Sequence, residues 1–137
     1  MTNPVDSLNP QKEQNTNSNA APHAAPPDLP GCPQRIRDLN DQMRRSGRGG
    51  RVMFTASIAA LPEAEIQALL GAVPGFEAFG PDNDPYGEHD CAVLTVAGHD
   101  VIWKIDYYDR SLTAGSPDPA DPAQTERVLT IMLARDY

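Results

Sequence analysis

The densest group of side chains able to do chemistry is the stretch DNDPYGEHD, which sets Asp82, Asp84, Glu88, His89 and Asp90 within residues 82–90. Carboxylates and an imidazole at such density are donors that a divalent cation accepts. An EF-hand calcium loop is the first possibility to test. Counted from Asp82, Gly87 takes the position of the loop's glycine, but Tyr86 precedes it where an oxygen ligand belongs, and Val93 stands where the closing Glu is required. The pattern fails at its decisive carboxylate. Asp and Asn also bond their own turns, and Pro85 and Gly87 shape the backbone, so a structural loop accounts for the same residues.

A second constellation emerges once the neighbouring segments are read as strands. Cys91 to Ala97 and Asp100 to Tyr108 flank Gly98-His99, which predicts a two-residue type II′ hairpin with Ala97 facing Asp100. Side-chain alternation then gathers Ala92, Leu94, Val96, Val101, Trp103 and Ile105 on one face, the core. The other face collects Cys91, Val93, Thr95, Ile102, Lys104, Asp106 and Tyr108, with His89 by extension opposite Tyr108 and Cys91 opposite Asp106. These are components of a nucleophile, a base and an orienting group. Covered by a helix, the same residues make a satisfied buried network. No Ser or Cys stands at a strained elbow or helix N-terminus, so no catalytic residue is assigned. The expected binding surface comprises Asp82, Asp84, Glu88, His89, Asp90, Lys104, Asp106 and Tyr108, with no metal and no cofactor assigned. His23 and His99 receive no role.

The elements that must hold these groups follow from periodicity and breakers. Residues 1–32 are rich in Asn, Gln, Ser, Ala and Pro, and predict a disordered tail before one domain over 33–137. Ile36, Leu39 and Met43 recur at helical spacing between Pro33 and Gly47, predicting a helix over 33–46. GRVMFT, residues 50–55, reads as a buried strand. A second helix spans about 62–73 on Ile66, Leu69, Leu70 and Val73, and Phe76 to Phe79 suggests a short strand. A last helix is predicted from Pro122 to Arg135, with Asp121 as N-cap, Gln124 placed for a capping-box contact, and Val128, Leu129, Ile131 and Met132 on its buried side. Trp103 is expected to pack on Val128, Leu129 or Met132, and only one of Tyr107 and Tyr108 can be core. The sum is an α+β fold: a small antiparallel sheet with a central hairpin packed against about three helices.

Composition narrows the function. Nineteen acidic against 11 basic residues give a net charge of -8, which opposes generic nucleic-acid coating and adhesion to anionic membranes. No apolar run approaches a membrane span, residues 1–30 are too polar for a signal peptide, and the two cysteines lack metal-site spacing. A cytoplasmic protein is expected. The charge is uneven: residues 33–51 carry six arginines and a net charge of +4, whereas 52–137 carry a net of -10.

The strings GGRVMFT, DNDPYGEHD, WKIDYYD, SPDP and RVLTIMLARDY, in this order, closely resemble the bacterial family known as domain of unknown function 3768, over nearly all of residues 33–137. The resemblance implies a small protein of alphaproteobacteria, often encoded on plasmids, phages and other mobile elements, with no established activity to carry over. An aromatic residue commonly follows the His-Asp pair in that family where Cys91 stands here, which argues against a cysteine-dependent mechanism.

Two functions from different classes fit. One is a non-enzymatic accessory factor of mobile elements that binds a host or element protein through the acidic loop and sheet face, with an anti-defence role by imitation of DNA charge conceivable within it. The other is a small metal-dependent hydrolase using His89 with Asp82, Asp84, Glu88 or Asp106.

Overall fold

The computed structural model describes residues 32–137. Of the tail expected over 1–32, only Cys32 falls among them. Helix α1 (Pro33–Ser46) forms where predicted: Pro33 occupies its first turn and Gly47 ends it in a left-handed conformation at φ 75°. Contrary to the sequence reading, a cysteine does stand at a helix N-terminus, since Cys32 is the N-cap and its sulfur accepts the Arg35 N–H. Its buried stripe is Ile36, Asn40, Met43 and Arg44. Two of these four are polar, and they become the centre of the site described below.

Strand β1 (Gly50–Phe54) follows, then a single helical turn α2 (Ala56–Ala59) and helix α3 (Glu63–Ala72). Strand β2 (Cys91–Val96), strand β3 (His99–Tyr108) and strand β4 (Glu126–Leu133) complete a four-stranded sheet in the order β1-β4-β3-β2, and a 3-10 turn covers Ala134–Asp136. The fold is α+β as predicted, but the sheet is mixed, because β1 enters parallel to β4 while the other pairs are antiparallel. Phe76 to Phe79 forms no strand; its two phenylalanines pack edge-on to each other and to Trp103.

The predicted helix over 122–135 is a correction. Its cap does form: Asp121 accepts the Ala123 N–H at 2.9 Å and the Gln124 side-chain amide at 2.8 Å. It closes one turn, however, and the chain then extends as β4. Residues 127–129 and 131–133 are all buried because β4 lies inside the sheet with both faces covered. A strand buried on both faces reads as a continuous apolar run, which periodicity alone does not separate from a helix.

The hairpin turn is the other correction. Val96 pairs with His99, leaving Ala97 and Gly98 as the two turn residues, both at positive φ (52° and 83°), as a type I′ connection demands. Relative to the predicted type II′ turn at Gly98-His99, the register slips by two residues, so every side chain keeps its face. Val101, Trp103, Ile105 and Tyr107 are accordingly buried on the helix side with Leu129 and Ile131 of β4, and Trp103 lies directly opposite Ile131 rather than Val128, Leu129 or Met132. Tyr107 is the core member of the tyrosine pair.

Candidate functional site: a buried polar lock and a bare sheet edge

Helix α1 presents Asn40, Asp41 and Arg44 to the acidic loop and the sheet. Asn40 is wholly buried and donates from one amide nitrogen to the Tyr107 hydroxyl at 2.8 Å and to the Glu88 carbonyl at 3.0 Å. Tyr107 in turn donates to the Glu88 carboxylate at 2.8 Å, and the Arg127 Nε donates to the Asn40 side-chain oxygen at 2.8 Å. Arg127 also donates to the Pro119 carbonyl and lies over the Tyr107 ring. Burial, with the charges of Glu88 and Asp90 adding to it, pushes the Tyr107 phenol well above its ordinary range, and burial pulls Arg127 down against neighbouring Tyr107 and Glu88. Each member satisfies its neighbour, which is the condition for a buried polar network to stabilise.

Arg44 anchors the second half of the lock. Its guanidinium donates to the carbonyls of Val73, Pro74 and Phe76, where α3 ends, and to Asp41 at 3.1 Å. The planar cation also lies over Phe79 and Trp103, at 5.4 and 5.2 Å from their centroids. His89 stacks on Phe79 at 3.8 Å, with its Nδ1 2.9 Å from Asp41 and its Nε2 3.5 Å from Asp84. The His89 backbone sits at φ 53° and donates to Asp84 at 3.1 Å.

That left-handed residue decides the fate of the predicted site. It turns the chain before β2 begins, so the His89 ring packs with α1 and Phe79 beside Trp103, on the helix side. Lys104 and Asp106 remain on the opposite face, in mutual contact, with Cys91 across from Lys104 rather than Asp106. His89 is therefore separated by the sheet from Lys104 and Asp106, and Tyr108 pairs with Glu126 of β4 rather than His89. Burial, only partly offset by Lys104, raises Asp106 to about 6. Tyr137 is raised to about 12 by burial and by Cys91 and Asp106 nearby. Of the loop acids, Asp84, Glu88 and Asp90 are buried and Asp82 is exposed. Among the described residues no group of three or more His, Cys, Asp or Glu side chains is arranged to hold a metal ion, and no helix is long and apolar enough to cross a membrane.

Sequence reasoning missed Asn40, Asp41, Arg44, Phe79 and Arg127. The signal was present for two of them: Asn40 and Arg44 follow Ile36 at helical spacing, on the stripe that has to be buried. The basic character of residues 33–51 is likewise taken apart by the fold. Arg44 is internal, Arg35 donates to the Ala120 carbonyl, Arg45 pairs with Glu77 and Arg51 with Glu126. The string SPDP builds the loop before β4: Ser116 accepts the Asp118 N–H, Asp118 accepts the Ala120 N–H, and the Ser116 and Thr125 hydroxyls meet at 2.8 Å.

A different surface carries unused apolar groups. The strand predicted as buried over 50–55 forms as β1 but is a correction in its burial: it is an edge strand, and Val52, Met53 and Phe54 are 42, 53 and 38% exposed. Val52 and Phe54 share the helix-facing side with Leu129 and Ile131, yet α1 and α3 leave them uncovered. Between them lies a groove of about 220 Å³, lined by Val52, Leu70, Val73, Pro74, Leu129 and Ile131, with Arg45 and Gly47 at its rim. Since β1 ends the sheet, its second edge is unpaired among the described strands. Thr55 donates to Ile131 of β4, so by alternation Arg51 and Met53 also face β4, and the backbone groups of Val52 and Phe54 point outward.

No curated protein and no solved structure matches the chain. The family described as protein of unknown function (DUF3768) matches residues 54–136, from the last residue of β1 to the C-terminal 3-10 turn. The match spans more than half of the chain, which therefore belongs to that family.

Proposed function

We propose that the protein is a non-enzymatic binding factor, an accessory of mobile genetic elements acting in the cytoplasm on a host or element protein. The observation that supports this most is the edge strand β1, whose Val52, Met53 and Phe54 are exposed where sheet edges are ordinarily guarded by charge, proline or a covering element. Exposed apolar side chains beside unpaired backbone groups are what an extended partner segment engages. Asp82 and Tyr86, the outward members of the acidic loop, supply a second, polar contact surface, held in place by Asp84, Glu88, His89 and Asp90 beneath. The mobile-element setting comes from the family resemblance. Because the family match begins at Phe54, the role given to β1 rests on this chain's own residues.

Catalysis has less support. Both nitrogens of His89 face carboxylates, and among the described residues its contacts include no hydroxyl or thiol that it could activate. The test is affinity capture from an alphaproteobacterial lysate with partner identification by mass spectrometry, comparing the natural chain with Met53→Lys and with His89→Ala. A partner retained by the natural chain and lost with Met53→Lys is the expected result. Hydrolytic activity that disappears with His89→Ala would overturn the proposal.

A further inference from the structure

Resting on that reading, we infer that β1 receives an extended, acidic peptide segment of another protein, which adds as a fifth strand and places carboxylates beside Arg48. The backbone supplies the first argument. Val52 and Phe54 direct their N–H and C=O groups away from β4, a ladder ready for one more strand. Alternate side chains of such a strand fall on the helix-facing side, next to Val52, Phe54 and Leu70, and over the groove floored by Leu129 and Ile131.

Charge selects the occupant. In a molecule of net charge -8, Arg45, Arg48 and Arg51 surround the turn that leads into β1. Arg45 and Arg51 are already paired, with Glu77 and Glu126. Arg48 is exposed and makes no ion pair with a described residue. A strand laid on β1 with an acidic end over the Gly47–Gly49 turn meets this guanidinium, while a basic end placed there meets a like charge at Arg48. A second copy of the chain fits less well. Antiparallel self-pairing centred on Val52 brings Arg48 toward the start of α2 in the other copy, which offers no carboxylate at Thr55 to Ala59.

The probes are fluorescein-labelled peptides of alternating Val and Thr, carrying paired Asp at one terminus or the other, and the same peptides with Lys in place of Asp. Fluorescence anisotropy at low salt is expected to show one Asp peptide binding at least about tenfold more tightly than its Lys counterpart. Arg48→Glu should erase that preference. Val52→Pro should abolish binding while the fold survives, since proline is accepted on an edge strand where the N–H faces outward. Should Val52→Pro unfold the chain, the exposed Arg48→Glu variant still decides. Equal binding of Asp and Lys peptides, unchanged binding by Val52→Pro, or sedimentation of the chain alone as a dimer would each overturn the inference. A captured partner lost with Met53→Lys, alongside peptides that bind without charge preference, would leave the binding role standing and remove only the acidic strand.

Discussion

Arg44 and Arg48 stand four residues apart, and the fold makes opposite uses of them. Arg44 has a fully buried side chain that bonds three carbonyls and a carboxylate between two aromatic rings. Arg48, just past the left-handed Gly47, is exposed and without an ion pair among the described residues. The contrast extends to the regions around them. The lock under α1 spends a histidine, three acids and two arginines on internal bonds, whereas the β1 edge leaves apolar side chains exposed and backbone groups unpaired among the described strands. Dense chemistry in this sequence therefore marks what holds the molecule together, and the plainest segment, GRVMF, carries the apolar side chains that the domain leaves exposed.

The largest effect should come from breaking the lock at its anchor. Arg44→Met leaves the Val73, Pro74 and Phe76 carbonyls without their donor, and the expected loss is about 3–5 kcal/mol in urea unfolding. Arg48→Ala should change stability by less than about 0.5 kcal/mol. Similar losses at both positions would erase the distinction between the regions.

Next in size is the chain Arg127, Asn40, Tyr107, Glu88. Asn40→Leu is expected to cost about 2–3 kcal/mol, because it removes hydrogen bonds to three buried groups at once, the Tyr107 hydroxyl, the Glu88 carbonyl and the Arg127 Nε. Tyr107→Phe in the Asn40→Leu background should add less than it does alone, with a coupling of about 1 kcal/mol from a double-mutant cycle. Additive losses would mean that the two side chains stabilise the fold separately.

Much of this was legible from residue types and spacing. α1, with its proline start and glycine stop, follows from local signals that no tertiary contact overrides. The faces of β2 and β3 were readable because a period of two tolerates the two-residue slip that the I′ turn introduced. Strand β4 was not readable as a strand: with β1 on one side and β3 on the other, its buried run Val128, Leu129, Ile131, Met132 mimics a helical stripe, and Asp121-Pro122 caps a real but single turn. The site was misread in two places: the turn register moves Cys91 from Asp106 to Lys104, and His89 leaves that face altogether. His89 at positive φ breaks the alternation that grouped it with Lys104 and Asp106, and although histidine is enriched among non-glycine residues in that region, the conformation stays too uncommon for residue type alone to signal it.

The pair on the opposite face gives a smaller, pH-dependent prediction. Asp106 is raised from 3.8 to about 6, so the folded state holds its proton more tightly than the unfolded chain does. Its contribution to stability is therefore greatest at low pH and declines as pH rises through the window between those values. Lowering pH from 7 to 5 should stabilise the natural chain by roughly 1 kcal/mol relative to Asp106→Asn. Asp109 and Asp121, held low by hydrogen bonds from Thr113 and from Gln124, act in the opposite sense at still lower pH. Parallel pH profiles for the two proteins would show that Lys104 neutralises Asp106 fully.

The smallest stability effect belongs to Met53→Lys, and it bears most directly on the role of β1. Met53 is 53% exposed on the face away from the helices, next to Arg51 and across from Thr130 of β4. Its backbone bonds to β4 do not depend on the side chain, so unfolding should shift by less than about 0.5 kcal/mol. A lysine there is also one of the guards that natural edge strands carry. If β1 were only a passive edge, this variant should be more soluble than the natural chain and otherwise equivalent in every assay. If β1 is the contact surface, the same substitution should remove partner binding at unchanged stability. A wild-type binding curve from a protein with lysine at this position would show that the exposed apolar edge has no part in recognition.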